Sequence, residues 1–194
     1  MFTALLTALL ASSSVYGVSI VGRQDSTCVT RYAGILATSG GTTHKSFAIS
    51  PRNQIAYIGD GNNPLIVEFQ ECPALESNPS NGTATGNATL TGRLYAPHYG
   101  KCFAVTNQTN PEPPYYTTLR TCSTAYSQRW RVTGNGNLFF TGVTDEDGTI
   151  EQGGCTQLGY KAGSDGTPVI THTNEQITLE CDNKAPFFFS TTAA

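Results

Sequence analysis

The stretch that decides the fold runs from Gly100 to Leu138 and reads GKCFAVTNQTNPEPPYYTTLRTCSTAYSQRWRVTGNGNL. A cysteine opens a short apolar strand, Cys102-Phe103-Ala104-Val105, and a turn-rich loop holding Pro111, Pro113 and Pro114 follows it. A second strand, Tyr115 to Thr121, ends in Cys122. Gln128-Arg129-Trp130 begins six residues after that cysteine, and Gly136-Asn137-Leu138 begins six after the Trp.

The same string can be traced on either side. Gly34-Ile35-Leu36, Gly92-Arg93-Leu94 and Gly136-Asn137-Leu138 each open a unit. A strand of similar shape follows in each: Ser46-Phe47-Ala48-Ile49, Cys102-Phe103-Ala104-Val105 and Cys155-Thr156-Gln157-Leu158. Each unit then has a strand ending in cysteine, at Cys72, Cys122 and Cys181. The alternations Val67/Phe69, Thr117/Leu119 and Ile177/Leu179 turn one face of each such strand inward. After the cysteine, the second unit has Gln128-Arg129-Trp130, the third has Phe187-Phe188-Phe189, and the first has a long polar loop.

Between these landmarks lie short runs bounded by Gly, Pro, Asn or Asp, and none keeps a helical apolar period for three turns. They are Tyr32–Thr38, Ser46–Ser50, Ile55–Ile58, Leu65–Gln70, Leu90–Ala96, Phe103–Thr106, Tyr116–Arg120, Trp130–Val132, Leu138–Thr141, Gln157–Tyr160, Pro168–His172, Ile177–Glu180 and Phe187–Ser190. Many short strands separated by turn signals indicate an all-β sandwich or barrel. Triplication favours an all-β β-trefoil, with three repeats of about four strands each, over an immunoglobulin-like sandwich. Charged residues are 13% of the 194, about half the usual ~25%. Thr, Ser, Asn, Gln and Gly take their place. A net charge of −3 without any Lys/Arg cluster excludes nucleic acid as a partner class.

The combination Gly-x-Leu, Gly-x-Cys-Phe-x-Val, a strand ending in Cys, and Gln-x-Trp resembles the ricin B-type β-trefoil lectin family. The resemblance spans Ala33 to Ser190, and one unit of three carries Gln-x-Trp intact. It implies bridges Cys102–Cys122 and Cys155–Cys181, which leaves Cys28 for Cys72; six cysteines alone allow fifteen pairings. The third pair departs from the pattern, because Ser46 stands where the other units have Cys102 and Cys155. The resemblance also makes Gln128 and Trp130 structural, the Trp filling core and the Gln bonding buried backbone. Phe187 and Phe189 would fill the equivalent space.

Sugar-binding members of that family carry a carboxylate two residues after the first cysteine, a stacking aromatic further on, and an Asn or Gln near the second. Here the carboxylate position holds Ala48, Ala104 and Gln157. The candidate glycan-binding residues are therefore Gln157, Tyr160 and Asn174 in the third unit, and Tyr115 and Tyr116 in the second. The plainer reading of the three tyrosines is half-buried strand residues at the barrel rim. The resemblance implies a non-catalytic, lectin-like module whose partners are glycans or glycoproteins. The alternative is a decayed lectin fold that binds an extracellular protein, for example as a protease inhibitor presenting the Asn107–Pro114 loop.

Catalytic and metal-binding readings find little support. His44, His98 and His172 are scattered and have no partner at ligand spacing. Asp145-Glu146-Asp147-Gly148 lacks the rest of a calcium loop. No G-x-S-x-G elbow, phosphate loop or H-E-x-x-H occurs. No catalytic residue, metal or cofactor is expected.

Residues 1–17 read as a signal peptide. Leu5, Leu6, Leu9 and Leu10 lie in an uncharged run, and Val15 and Gly17 occupy the −3 and −1 positions of a cut after Gly17. That run, about eleven residues, is too short to span a bilayer. Residues 18–31 form an entry segment and 32–191 the trefoil domain. Three glycosylation acceptors, Asn81, Asn87 and Asn107, and an even cysteine count fit an extracellular, secreted chain.

Overall fold

The computed structural model describes residues 28–38, 46–57, 63–75, 89–105, 113–142, 157–170, 176–181 and 185–191. The signal segment, the three acceptor asparagines, His44, His172, Cys155, Asn174 and the Asp145–Gly148 turn lie outside them. The described residues are all-β, with twelve strands, three 3-10 turns and no α-helix.

Six strands close a barrel. β1 (Val29–Thr38), β4 (Ile66–Glu71), β5 (Leu90–Ala96), β8 (Trp130–Val132), β9 (Leu138–Phe140) and β12 (Phe187–Ser190) pair in the order β4-β1-β12-β9-β8-β5, and β5 returns to β4. All these pairings are antiparallel. Closure leaves none of the six with an unpaired edge, which removes the usual template for aggregation. The remaining strands form three hairpins: β2 (Ala48–Ile49) with β3 (Ile55–Ala56), β6 (Lys101–Val105) with β7 (Thr117–Arg120), and β10 (Gly159–Tyr160) with β11 (Leu179–Glu180). Each hairpin touches the other two. Ala56 bridges Gln176, Tyr115 bridges Leu179, and Leu119 donates its amide to Asn53 O at 2.9 Å.

Alternation supplies the core. Leu36, Val67, Phe69, Leu94, Ala96, Trp130, Val132, Leu138, Phe140 and Phe187 point into the barrel, and none exceeds 1% exposure. Each large side chain buried this way contributes about 1.5–3 kcal/mol of transfer free energy. Trp130 sits edge-on to Phe140 and Phe187, at 5.5 and 6.0 Å, and donates Nε1–H to Phe103 O at 3.1 Å. Gln128 is buried with both ends of its amide used: Nε2 donates to Thr121 O and Oε1 accepts from Ser123 N. Phe187 is fully buried, whereas Phe189 is partly buried and packs against the core from outside it.

The pairing corrects the unit alignment read from sequence. Val67–Cys72 is not the counterpart of Thr117–Cys122. β4 stands in the barrel wall between β1 and β5, whereas β7 pairs with β6 outside the wall. The hairpin strand of that region is Ile55–Ala56. Consequently the polar loop after Leu75 connects two wall strands and does not replace a Gln-x-Trp segment.

Cys28 is bridged to Cys72 and Cys102 to Cys122, and Cys181 is also disulfide-bonded. The first bridge fastens the start of β1 to the end of β4, where Val29 already pairs with Glu71. β1 thus begins at Val29 rather than at Tyr32. Bridged cysteines are consistent with an extracellular setting. No described helix is long and apolar enough to cross a membrane.

Candidate functional site

A cleft of about 320 Å³ opens where the β2–β3 hairpin, the start of β4 and the β5–β6 connection meet. Ile49, Asn63, Pro64, Leu65, Ile66, His98 and Tyr99 line it. Its shape begins in the backbone. Pro97, with its fixed φ, starts a 3-10 turn directly after β5. Gly100 closes that turn at φ 61, donating its N–H to Pro97 O at 3.2 Å. A side chain at that φ would be strained, so glycine is what lets the chain reverse here. The turn pushes His98 and Tyr99 off the barrel, their rings edge-to-face at 4.9 Å.

On the opposite wall, Leu65 is held at both ends of its peptide unit. Its N–H donates to Phe47 O and its carbonyl accepts from Leu36 N. Strand alternation then sends Val67 inward and Ile66 outward, where it is 54% exposed. Tyr99 is 41% exposed. The cleft therefore has an open aromatic ring, an open aliphatic wall, an amide at Asn63 and an imidazole at His98. Its volume is at the small end of the range for ligand pockets, about 300–1,000 Å³. No carboxylate is among these lining residues.

The residues singled out from sequence lie elsewhere. Tyr115 and Tyr160 are 2% and 1% exposed and belong to the core cluster. Tyr115 bridges Leu179, and Tyr160 donates its hydroxyl to Gly166 O at 3.1 Å. A ring enclosed to that degree has no free face for a sugar, which corrects their reading as stacking or rim residues. Tyr116 is half-buried. Ala48, Ala104 and Gln157 are all buried, and Gln157 Oε1 accepts from the Arg131 guanidinium. Gln157 and Tyr160 thus do not share an open pocket, and Asn174 lies outside the described residues.

Sequence reading passed over Asn63, Ile66 and Tyr99. The signal that could have found them is combined: an apolar residue out of phase with the inward Val67/Phe69 pair, and an aromatic in a Pro-x-x-Gly turn. Neither is distinctive without the pairing that brings them together. No group of three or more His, Cys, Asp or Glu side chains that could hold a metal exists among the described residues. Comparison of the chain with family models, with curated proteins and with solved structures finds no match in any of the three.

Proposed function

We propose that this chain is a secreted β-trefoil of the ricin B-like type that acts as a non-catalytic carbohydrate-binding module, taking the sugar in the Tyr99–Ile66 cleft. The trefoil assignment is supported by the six-strand ring and the three mutually touching hairpins. Gln-x-Trp, with Gln128 tied to backbone and Trp130 in the barrel, supports the family reading. The observation that carries the binding reading is Tyr99: an exposed ring beside Asn63 and His98 in a monosaccharide-sized hollow. Sugar recognition needs that pairing of one flat apolar face with a few placed polar groups. The family's usual sugar position is unsuitable here, because Ala48 and Ala104 offer no acceptor and Gln157 is committed to Arg131.

A glycan array followed by NMR titration of the mature protein tests this. The expected result is millimolar binding that perturbs Tyr99 and Asn63. Tyr99→Ala should weaken it about tenfold through lost ring contact. Absence of any sugar-dependent change at millimolar concentration, with the protein folded, removes the reading. Retention of an extracellular protein through the same cleft would replace it with the protein-binding alternative.

A further inference from the structure

The barrel wall carries three arginines that point into partly or wholly buried surroundings: Arg93, Arg129 and Arg131. Two of the more open cations meet carboxylates, Arg31 with Glu71 at 2.6 Å and Lys161 with Glu180 at 3.7 Å. Arg131 differs. It leaves β8 on the outer face, half-buried, and among the described residues its guanidinium donates only to Gln157 Oε1, from Nε at 3.0 Å and from Nη2. The acceptor is a neutral amide that is itself more than nine-tenths buried. A neutral acceptor satisfies hydrogen bonds but leaves the positive charge uncompensated, and an uncompensated charge drawn out of water is costly.

Two residues earlier, between the Tyr126–Gln128 3-10 turn and β8, lies Arg129. Its guanidinium donates to Thr141 O at 3.2 Å and covers the Tyr126 ring at 5.2 Å. The two arginines repel. Burial lowers the pKa of Arg129 first and Arg131 lowers it further, against an opposing contribution from Tyr126; burial alone lowers that of Arg131. The chain as a whole carries −3, so the two arginines are not one part of a basic surface. Gln157 occupies the Nε/Nη2 edge of Arg131, which leaves the Nη1 side, without an acceptor among the described residues, to meet an oxygen of a sulfate or a carboxylate.

We propose that Arg131, held by Gln157, is a binding site for an oxyanion group, a sulfate or a carboxylate, on the ligand. The site uses strands other than those of the cleft and stands whether or not the cleft binds sugar. Sodium sulfate and sodium glucuronate, each against sodium chloride at matched ionic strength, are titrated into the full mature chain while the Arg131 Nε–H resonance is followed by NMR. A saturable shift with either oxyanion and none with chloride is expected. Sulfate alone would identify a sulfated ligand, and glucuronate alone a uronic acid.

Gln157→Glu places a carboxylate on the guanidinium from within and should weaken the response at least about tenfold. Arg131→Met should abolish the accompanying shift of the Gln157 side-chain amide. Equal responses in chloride, or undiminished binding by Gln157→Glu, would overturn the proposal. The chloride control in the unmodified protein decides it even if a variant does not fold.

Discussion

The β6–β7 and β2–β3 hairpins stand side by side, joined by the Leu119 amide to Asn53 O and by the Ile55 amide to Thr117 Oγ1, both at 2.9 Å. They are built differently. β6–β7 has four paired positions, a disulfide across its base and the Gln128 amide gripping Thr121 and Ser123 on either side of Cys122. β2–β3 has two paired positions, and Ser46 stands where the other hairpin has Cys102. What secures it is Phe47, fully buried, with ring contacts to Tyr57, Tyr160 and Phe187 at 5.9, 5.7 and 5.1 Å. Both hairpins bury side chains in the core, Phe103, Val105 and Leu119 from one and Phe47 from the other, but only β6–β7 adds a constraint on the unfolded chain. The two should therefore respond to different insults.

The largest effect is expected on the unbridged side. Phe47→Ala removes the ring at the centre of that aromatic cluster and should cost about 3–5 kcal/mol, read from urea unfolding. Reductant should not change the difference between variant and parent. A loss under 1 kcal/mol would mean that β2–β3 is held by its hydrogen bonds instead.

Next comes the bridge. Replacing Cys102 and Cys122 together by Ala frees a loop with a sequence separation of 20. The expected loss is about 3 kcal/mol, arising mainly in the unfolded state. Hydrogen exchange within β2–β3 should quicken only in proportion to the loss of global stability. Selective opening of β2–β3 would show that it depends on the bridge of its neighbour, and the contrast between the hairpins would fail.

Smaller again is the amide clamp. Gln128→Ala leaves the Ser123 N–H and the Thr121 carbonyl without their partner and should cost about 1–3 kcal/mol. If the clamp and the bridge secure the same segment, the loss in the background lacking Cys102 and Cys122 should differ from the loss in the parent, and a double-mutant cycle measures that coupling.

Much of the strand plan was readable from punctuation and apolar runs. Leu90–Ala96, Trp130–Val132 and Phe187–Ser190 form strands with the bounds their sequence suggests. Of Pro168–His172, the described residues 168–170 form no strand, and Pro168 and Ile170 make isolated bridges. What local pattern could not say is which run joins the barrel wall. Val67/Phe69 and Thr117/Leu119 alternate alike, yet one lies in the wall and the other outside it, because membership depends on distant pairing partners.

The three Gly-x-Leu openings hide a similar difference. A Cβ on Gly92 would lie 2.0 Å from Gln70 O, and one on Gly34 2.9 Å from Ser190 O, so both serve close strand approach. Gly136 has open space around it and φ +78, so it serves a turn. For the site the limit is again non-local. Alternation shows that Tyr115 and Ile66 lie on defined strand faces, but not that another hairpin covers Tyr115 while nothing described covers Ile66.

The smallest predicted effect separates the two hairpins by pH. Tyr57, which contacts Phe47 beside β3, has its pKa raised above the ordinary tyrosine value, first by burial and then by Tyr160 and Asp165. In the unfolded chain the phenol ionises near pH 10. The folded chain keeps its proton to higher pH, so the stabilising difference is complete below about pH 10 and is lost as pH rises toward the folded value. Tyr57→Phe removes this dependence. Urea midpoints measured at about pH 9 and about pH 11 should fall less for the variant than for the parent. The comparison is between slopes, so a shift common to both pH values from the lost hydroxyl does not affect it. Equal slopes would place the alkaline weak point away from the β2–β3 side.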